Sequence, residues 1–258
     1  MTPLAPVHFW KIPPSTAADM ARLPSLVADL EHDLTQWAHQ FHRLSLAHSL
    51  AIEDVIITDA LVRLGLTVDA FVLNTGKLHP ESLHYFTLLR AQYATISWLE
   101  YTPDLSQLDR FADEYDFSDI YRHLDARKAC CYARKIAPLQ RALVSYDAWL
   151  TGQRREQATT RAQLLKHEWD ATHGLAKLTP LAAWTQHDIW AYAAHYDLPR
   201  HPLYAQGIPS IGCEPCTKPI RQDEDLRAGR WWWESQDSKE CGLHTTQSLF
   251  TPSFCIPK

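Results

Sequence analysis

The chain has 258 residues, of which 46% are hydrophobic and 21% are charged, and its formal net charge is −5. These values are ordinary for a globular protein and exclude an overall positive field that would attract nucleic acid or a membrane surface. The sequence contains no run of about 18 apolar residues and no signal-peptide pattern at its N-terminus. We therefore expect a cytoplasmic protein without nucleic-acid or membrane partners, in which any anion site is a local basic cluster.

Hydrophobic periodicity predicts helices and strands that alternate along the first hundred residues. The predicted helices lie at residues 17–43, 52–65, 80–93 and 184–196. The predicted strands lie at residues 44–47, 68–74, 94–101 and 146–151, with a hairpin across 172–174. The β-α-β-α-β order predicts a doubly wound, mainly parallel α/β sheet that binds ligands in loops at the carboxyl ends of its strands.

The last 45 residues lack clear periodicity and are rich in Cys, Trp, Arg and Pro. No internal repeat or low-complexity linker divides the chain. We therefore predict a single α/β domain over residues 1–235 and an irregular, mobile C-terminal tail over residues 236–258.

Four of the six cysteines form two close pairs. In a reducing compartment such cysteines are more often metal-binding or catalytic than disulfide-bonded. The Cys-x-x-Cys of Cys213 and Cys216 fits zinc, an iron–sulfur cluster or a redox dithiol. Cys130 and Cys131 are adjacent, which suits a single tetrahedral ion poorly but allows contact with two corners of a cubane. The pattern favours a [4Fe–4S] cluster on all four thiolates, with zinc and inert buried thiols as alternatives.

The remaining candidates are a lone cysteine and several groups of basic residues. Cys241 lies in KECGLH, where His244 favours the reactive thiolate, although an inert tail cysteine is the alternative. Cys255 has no supporting group nearby and is expected to be inert. Arginine side chains suit phosphate and sulfate oxygens. The basic residues occur at 127–135, 154–161, 218–221 and 227–230. Three consecutive tryptophans follow at 231–233, and at least one is expected to pack over substrate or cluster.

Several motifs in a fixed order resemble the adenylyl-sulfate reductases and their 3′-phosphoadenylyl-sulfate reductase relatives. Over roughly residues 40–245 these motifs are CCYARKIAPLQRAL, TGQRREQ, PLAAWTQHDIWAY, HPLYAQGIPSIGCEPCTKP, RAGRWWWE and KECGLH. The resemblance implies an adenine nucleotide α-hydrolase-like fold. It also implies one [4Fe–4S] cluster per chain on Cys130, Cys131, Cys213 and Cys216, and a catalytic role for Cys241.

The reaction implied by the resemblance is the reduction of adenosine 5′-phosphosulfate to sulfite and AMP, in assimilatory sulfate reduction and cysteine biosynthesis. The Cys241 thiolate would attack the sulfate sulfur and form an S-sulfonate. Thioredoxin or glutaredoxin would then attack Cys241 by thiol exchange and release sulfite. A homo-oligomer is compatible with this assignment.

The resemblance also assigns substrate contacts. These are Ser49, Leu50, Ala51, Thr75, Gly76, Lys135, Arg161, Arg227, Arg230 and His244. Two loops depart from the family pattern, because SLAIED stands where SxGxED is usual and LNTGK where LDTGR is usual. Alanine fits position 51 without strain only if its φ is negative.

Three other functions are compatible with parts of the pattern. The first is reduction of the 3′-phosphorylated nucleotide, although relatives of that kind generally lack the four paired cysteines. The second is a non-catalytic iron–sulfur or zinc module that binds nucleotide. The third is an ATP pyrophosphatase of the same fold, which would be expected to carry an SGGxDS-like loop that SLAIED does not match.

Overall fold

A computed structural model describes residues 8–235 of the chain. Six strands form one sheet, namely β1 (Leu44–Ala47), β2 (Asp69–Leu73), β3 (Ser97–Tyr101), β4 (Ala148–Leu150), β5 (His167–Asp170) and β6 (Leu175–Leu178). Their order across the sheet is β3-β2-β1-β4-β6-β5, and only the β5–β6 pair is antiparallel. The chain winds outward from β1 in one direction and returns to its other side at β4. The doubly wound, mainly parallel sheet and the hairpin are thereby confirmed.

The helices lie between and beside these strands. They are α1 (Ala17–Gln40), α2 (Ile52–Arg63), α3 (Pro80–Gln92), α4 (Leu105–Glu114), α5 (Leu124–Cys131), α6 (Ala137–Leu143) and α7 (Gln186–His195). Thr16 and Thr185 begin α1 and α7 with side-chain caps that accept a backbone N–H three residues ahead. None of the described helices is both long enough and apolar enough to cross a membrane.

Both faces of the sheet are covered, as alternation along the central strands requires. In β4, Ala148 and Leu150 belong to a large core formed with α1, α2, α3 and α7, whereas Trp149 points to the other face. There Trp149 packs with Phe71 of β2 and with Leu139 of α6. Burial on both sides explains why these strands are nearly continuous apolar runs.

The structure differs from the predicted elements in several places. The third strand begins at Ser97 rather than at residue 94, and α5 and α6 are not among the predicted helices. The first helix ends at Gln40 rather than at residue 43, because Phe41 adopts an extended conformation that leads into β1. Sequence periodicity does not predict α4, in which only Phe111 is buried. The expected irregularity after residue 212 is confirmed up to residue 235, where short turns replace regular elements. The predicted tail, residues 236–258, lies outside the described residues.

Candidate active site

One cleft lies at the carboxyl ends of β1, β2 and β4, where the loops after these strands meet. Eight of the predicted substrate-binding residues line it. They are Ser49, Leu50, Ala51, Thr75, Lys135, Arg161, Arg227 and Arg230. Gly76 turns the second loop behind Thr75, with φ of +66°. Cys241 and His244, the remaining predicted residues, lie outside the described residues. The position of the cleft agrees with the rule that open α/β sheets bind ligands outside their carboxyl ends.

The first loop connects β1 to α2 through residues 48–51. Ala51 begins α2 with φ of −82°, so the alanine fits without strain and the family glycine is not needed for conformational freedom. The left-handed position is Leu50, with φ of +67°. Four successive N–H groups are bound by the protein itself: Ser49 donates to Asp54, Leu50 to His48 Nδ1, Ala51 to the Ser49 hydroxyl and Ile52 to the Tyr204 hydroxyl.

Asp54 ties the first loop to the loop after β4. Its Oδ2 accepts the Ser49 N–H at 2.7 Å and the Ser49 hydroxyl, and its Oδ1 accepts the Gly152 N–H at 2.9 Å. A Cβ at Gly152 would lie 2.5 Å from Oδ1, so only glycine permits this approach. Burial raises the pKa of Asp54 to about 6, against the lowering effect of these hydrogen bonds. Sequence reasoning did not identify Asp54 or Gly152 as site residues, although Asp54 lies within SLAIED and Gly152 within TGQRREQ.

The second loop joins the cleft to the cysteines. The Thr75 hydroxyl lies 3.2 Å from Cys213 Sγ, and the Thr75 carbonyl accepts a hydrogen bond from Arg134 Nη1 at 2.9 Å. Asn74, which replaces the family aspartate, accepts the Gly76 N–H and donates to Glu100. The asparagine therefore still closes the turn, so this departure leaves the loop intact.

Cationic side chains converge on the cleft around one buried indole. The Trp231 ring, in a residue only 1% exposed, lies 4.6 Å from the Arg230 guanidinium carbon, 5.9 Å from that of Arg227 and 6.0 Å from Lys135 Nζ. Arg127, which makes two hydrogen bonds to Glu234, lies 4.9 Å from the same ring on the side of the cysteines. One of the three tryptophans thus packs between the cleft and the cysteines.

A hydrogen-bonded relay positions Arg161. Its Nη1 donates to Gln157 Oε1 at 2.6 Å, and Gln157 Nε2 donates to Glu53 Oε1 at 3.0 Å. Glu53 also pairs with Arg154, which is 3% exposed. A glutamine between a carboxylate and a guanidinium can satisfy both only in this orientation. The sequence gives no signal for this role of Gln157 beyond its place in TGQRREQ.

The four paired cysteines line a second, smaller cavity, with Lys77, Arg134 and Lys135 among its other walls. None of the four forms a disulfide with another described residue; Cys131, Cys213 and Cys216 are buried and Cys130 is half-buried. Burial raises the pKa of Cys216 to about 11. Burial likewise opposes ionisation of Cys213, but Lys135 and the Thr75 hydroxyl outweigh it and lower its pKa. Among residues 8–235, no group of three or more His, Cys, Asp and Glu side chains is arranged to hold a metal ion.

A π-helical turn, Tyr132–Ile136, follows directly on Cys130 and Cys131. Its Ala137 N–H bonds to the Tyr132 carbonyl, five residues back. Such turns inside α-helices are frequent at functional sites. Here the turn contains Lys135, which lines both the cleft and the cysteine cavity.

Comparison with known proteins gives consistent matches. Residues 43–219 match the phosphoadenosine phosphosulfate reductase domain family. A protein of Burkholderia cepacia named adenosine 5′-phosphosulfate reductase is 46% identical over 90% of this chain and 94% of its own length. Proteins of the same name from Allochromatium vinosum and Neisseria meningitidis serogroup B are 42% and 41% identical. They cover 90% and 91% of this chain, and 89% and 96% of their own lengths.

Two solved structures share the fold. The phosphoadenylyl-sulfate reductase of Candida auris, in a phosphate complex, superposes with a TM-score of 0.63 at 22% identity, over 81% of this chain and all of that one. FMN adenylyltransferase of Candida glabrata superposes with a TM-score of 0.57 at 14% identity, over 86% of this chain and 76% of that one. The fold expected from the resemblance is thereby confirmed.

Proposed function

The chain belongs to the phosphoadenosine phosphosulfate reductase family, and we propose that it reduces adenosine 5′-phosphosulfate to sulfite and AMP in assimilatory sulfate reduction. One observation carries the proposal. In a chain of net charge −5, Lys135, Arg161, Arg227 and Arg230 line a single cleft, beside a cavity lined by four cysteines. That arrangement concentrates positive charge where an anionic nucleotide would bind.

The cations suit the phosphosulfate group. Its sulfur is electrophilic but shielded by anionic oxygens, so attack by a thiolate requires that these oxygens first be neutralised. The Nε of Arg230 is buried and has no hydrogen-bond partner within the described part of the chain. An unsatisfied buried guanidinium donor is costly unless a ligand pairs with it, and sulfate or phosphate oxygens would do so.

Cys241, in the predicted mobile tail, would be the nucleophile. Its thiolate forms a bond to the sulfate sulfur while the bond from sulfur to the phosphate oxygen breaks, and AMP leaves with that electron pair. His244 would contact the substrate. A thiolate of thioredoxin, or of glutaredoxin, then attacks the Cys241 sulfur and expels sulfite. The second thiol of the dithiol releases Cys241, so the partner supplies both electrons.

The cysteine cavity suits a [4Fe–4S] cluster held by Cys130, Cys131, Cys213 and Cys216. The donor set supports it, because the four thiols share one cavity with Lys135 and Arg134, whose charges stabilise thiolates. A cluster spreads four thiolates over four iron corners, so it does not require the thiols to converge on one point. When bound, the cluster would supply charge and fixed geometry rather than electrons, since the partner dithiol already provides two.

The test of the function is a sulfite assay with reduced thioredoxin. We expect turnover of adenosine 5′-phosphosulfate and much poorer turnover of its 3′-phosphorylated form, the alternative substrate. Replacement Cys241→Ser should abolish sulfite release, whereas Cys255→Ser should leave it unchanged. Sulfite production by Cys241→Ser would rule out the S-sulfonate mechanism, and equal turnover of both nucleotides would rule out the substrate assignment.

The cluster is tested on anaerobically purified protein. We expect a brown protein with absorbance near 400 nm, a general signature of thiolate bound to iron, and about four iron atoms per chain. Cys216→Ser should lose both, whereas Cys255→Ser should keep both. A colourless protein with bound zinc would contradict the proposal.

We further propose a cytoplasmic enzyme; its association into a homo-oligomer can be measured on the same preparation.

A further inference from the structure

The first loop of the cleft contains a conformation that its sequence does not favour. Leu50 has φ of +67° and is 2% exposed, so a buried, branched side chain occupies the left-handed region. Residues other than Gly, Asn and Asp rarely adopt this region unless neighbouring groups hold them there. Because Leu50 lines the cleft, whatever holds its backbone also shapes the cleft wall.

His48 provides that support from two residues earlier. The ring Nδ1 of His48 accepts the Leu50 N–H at 3.1 Å. The backbone N–H of His48 donates to the Phe71 carbonyl of β2 at 2.8 Å. The ring packs edge-on against Trp98, with 5.1 Å between centroids. His48 is therefore fixed to β2 and β3 while it holds the loop that follows β1.

The contact requires a neutral ring. A nitrogen that accepts from an N–H carries no proton of its own, so the proton of His48 must lie on Nε2. Burial lowers the pKa of His48 to about 3, which keeps the ring neutral at physiological pH. The acceptor is therefore present wherever the enzyme would work.

We propose that His48 is a positioning residue of the nucleotide cleft, which holds Leu50 in the left-handed conformation through Nδ1. The expected effect on KM rests on the proposed function, whereas the effect on the conformation of Leu50 does not. Asn and Asp side chains stabilise turns in the same way, by accepting the N–H two residues ahead. His48 performs this role in a loop that lacks glycine.

The experiment compares two replacements that both remove the ring contact with Trp98. His48→Asn keeps an acceptor for the Leu50 N–H, whereas His48→Ala does not. We expect His48→Ala to raise KM for adenosine 5′-phosphosulfate about three- to tenfold, the range for one lost hydrogen bond, with little change in kcat. His48→Asn should have a KM close to that of the wild type. Adding Leu50→Gly to His48→Ala should also bring KM back toward the wild-type value, because glycine takes positive φ without support.

A second measurement does not depend on activity. Nitrogen NMR of the imidazole should show a neutral His48 with its proton on Nε2. The Leu50 amide should exchange with solvent faster in His48→Ala than in His48→Asn, because only the asparagine keeps an acceptor for it. Equal KM values for the two single variants, or a His48 proton on Nδ1, would overturn the inference. A wild-type protein that makes no sulfite would refute the proposed function instead, while the NMR result would still decide the role of His48.

Discussion

A Cβ atom at Gly212 would lie 2.3 Å from Nη2 of Arg230, so the guanidinium packs directly on a backbone that leaves no room for a side chain. Arg230 Nη1 donates to the Ile211 carbonyl at 3.0 Å, which fixes the same side chain from the preceding residue. Gly212 stands immediately before Cys213. The geometry of one cationic wall of the cleft is therefore set by the segment that carries the Cys-x-x-Cys.

Replacement Gly212→Ala should displace Arg230. It should lower kcat/KM strongly while changing the stability of the fold much less. Misplacement of a charged group by about 1 Å can lower kcat/KM on the order of a hundredfold. Gly65→Ala is the matched control, because Gly65 has φ of +66° with no atom within 4 Å of its Cβ position. The control should lower stability by about 1 kcal/mol and leave kcat/KM unchanged. Equal kcat/KM in both variants would show that the contact has no role in positioning Arg230.

Replacement Lys135→Met should lower kcat strongly, since Lys135 lines both the cleft and the cysteine cavity. Loss of a group that stabilises developing charge typically costs about 10² to 10³ in kcat. Lys135→Arg, which keeps the charge, should lose less. Iron content and thermal unfolding measured in parallel should be close to wild type. If the methionine variant holds less iron than the wild type, Lys135 acts on retention of the proposed cluster rather than on the substrate.

The ionisation of Asp54 should make stability depend on pH. Its pKa is raised to about 6 in the folded protein, so the folded state binds this proton more tightly than the unfolded state does. The resulting stabilisation is complete below the unfolded pKa near 4 and is lost as pH rises through about 6.

Two pKa units correspond to on the order of 2 to 3 kcal/mol. Unfolding of wild type and Asp54→Asn should be compared from pH 4 to pH 7. The stability of wild type relative to the variant should fall across this range. A rise would mean that the hydrogen bonds from Ser49 and Gly152 outweigh burial and hold the pKa low.

Replacement Glu234→Ala should destabilise the fold near the cysteines. Arg127 is 1% exposed and makes two hydrogen bonds to Glu234, at 2.8 and 2.9 Å, so the variant leaves a buried charge without its carboxylate. Such losses cost about 3 to 5 kcal/mol. The control is Asp147→Ala, which removes the partner of the largely exposed Arg43 and should cost about 1 kcal/mol or less. Thermal or denaturant unfolding measures both; similar small losses would mean that solvent reaches Arg127.

Much of the fold can be predicted from the sequence, because many of its strands and helices are determined by short local patterns. The strands β1 and β4, predicted within residues 44–47 and 146–151, are short and mostly apolar runs that are buried on both faces. Thr185 begins its helix with a side-chain cap that is visible in the sequence. By contrast, α4 buries only Phe111 and depends on tertiary packing that no short window of sequence contains.

The candidate site divides in the same way. The cations and cysteines are recognisable by residue type and motif. The structure brings the four paired cysteines and the four cations predicted to contact substrate to two adjoining cavities, whereas Arg155, Lys218 and Arg221 line neither. Asp54, Gly152 and Gln157 were missed, because their roles exist only once two loops separated by about a hundred residues meet. The left-handed Leu50 was missed for a different reason, since its support comes from His48 and not from its own side chain.

The π-helical turn of residues 132–136 allows one continuous helical segment to pack against two separate hydrophobic clusters. Before the turn, Cys131 packs with Phe111 and Trp231; after it, Leu139 and Leu143 pack on the sheet. One extra residue in a helix rotates everything beyond it by about 100° relative to an uninterrupted helix. Deletion of a single residue within the turn would therefore misalign either the cysteines or the sheet contacts. The number of residues between Cys131 and Leu139 therefore matters to this architecture as much as the identity of either residue.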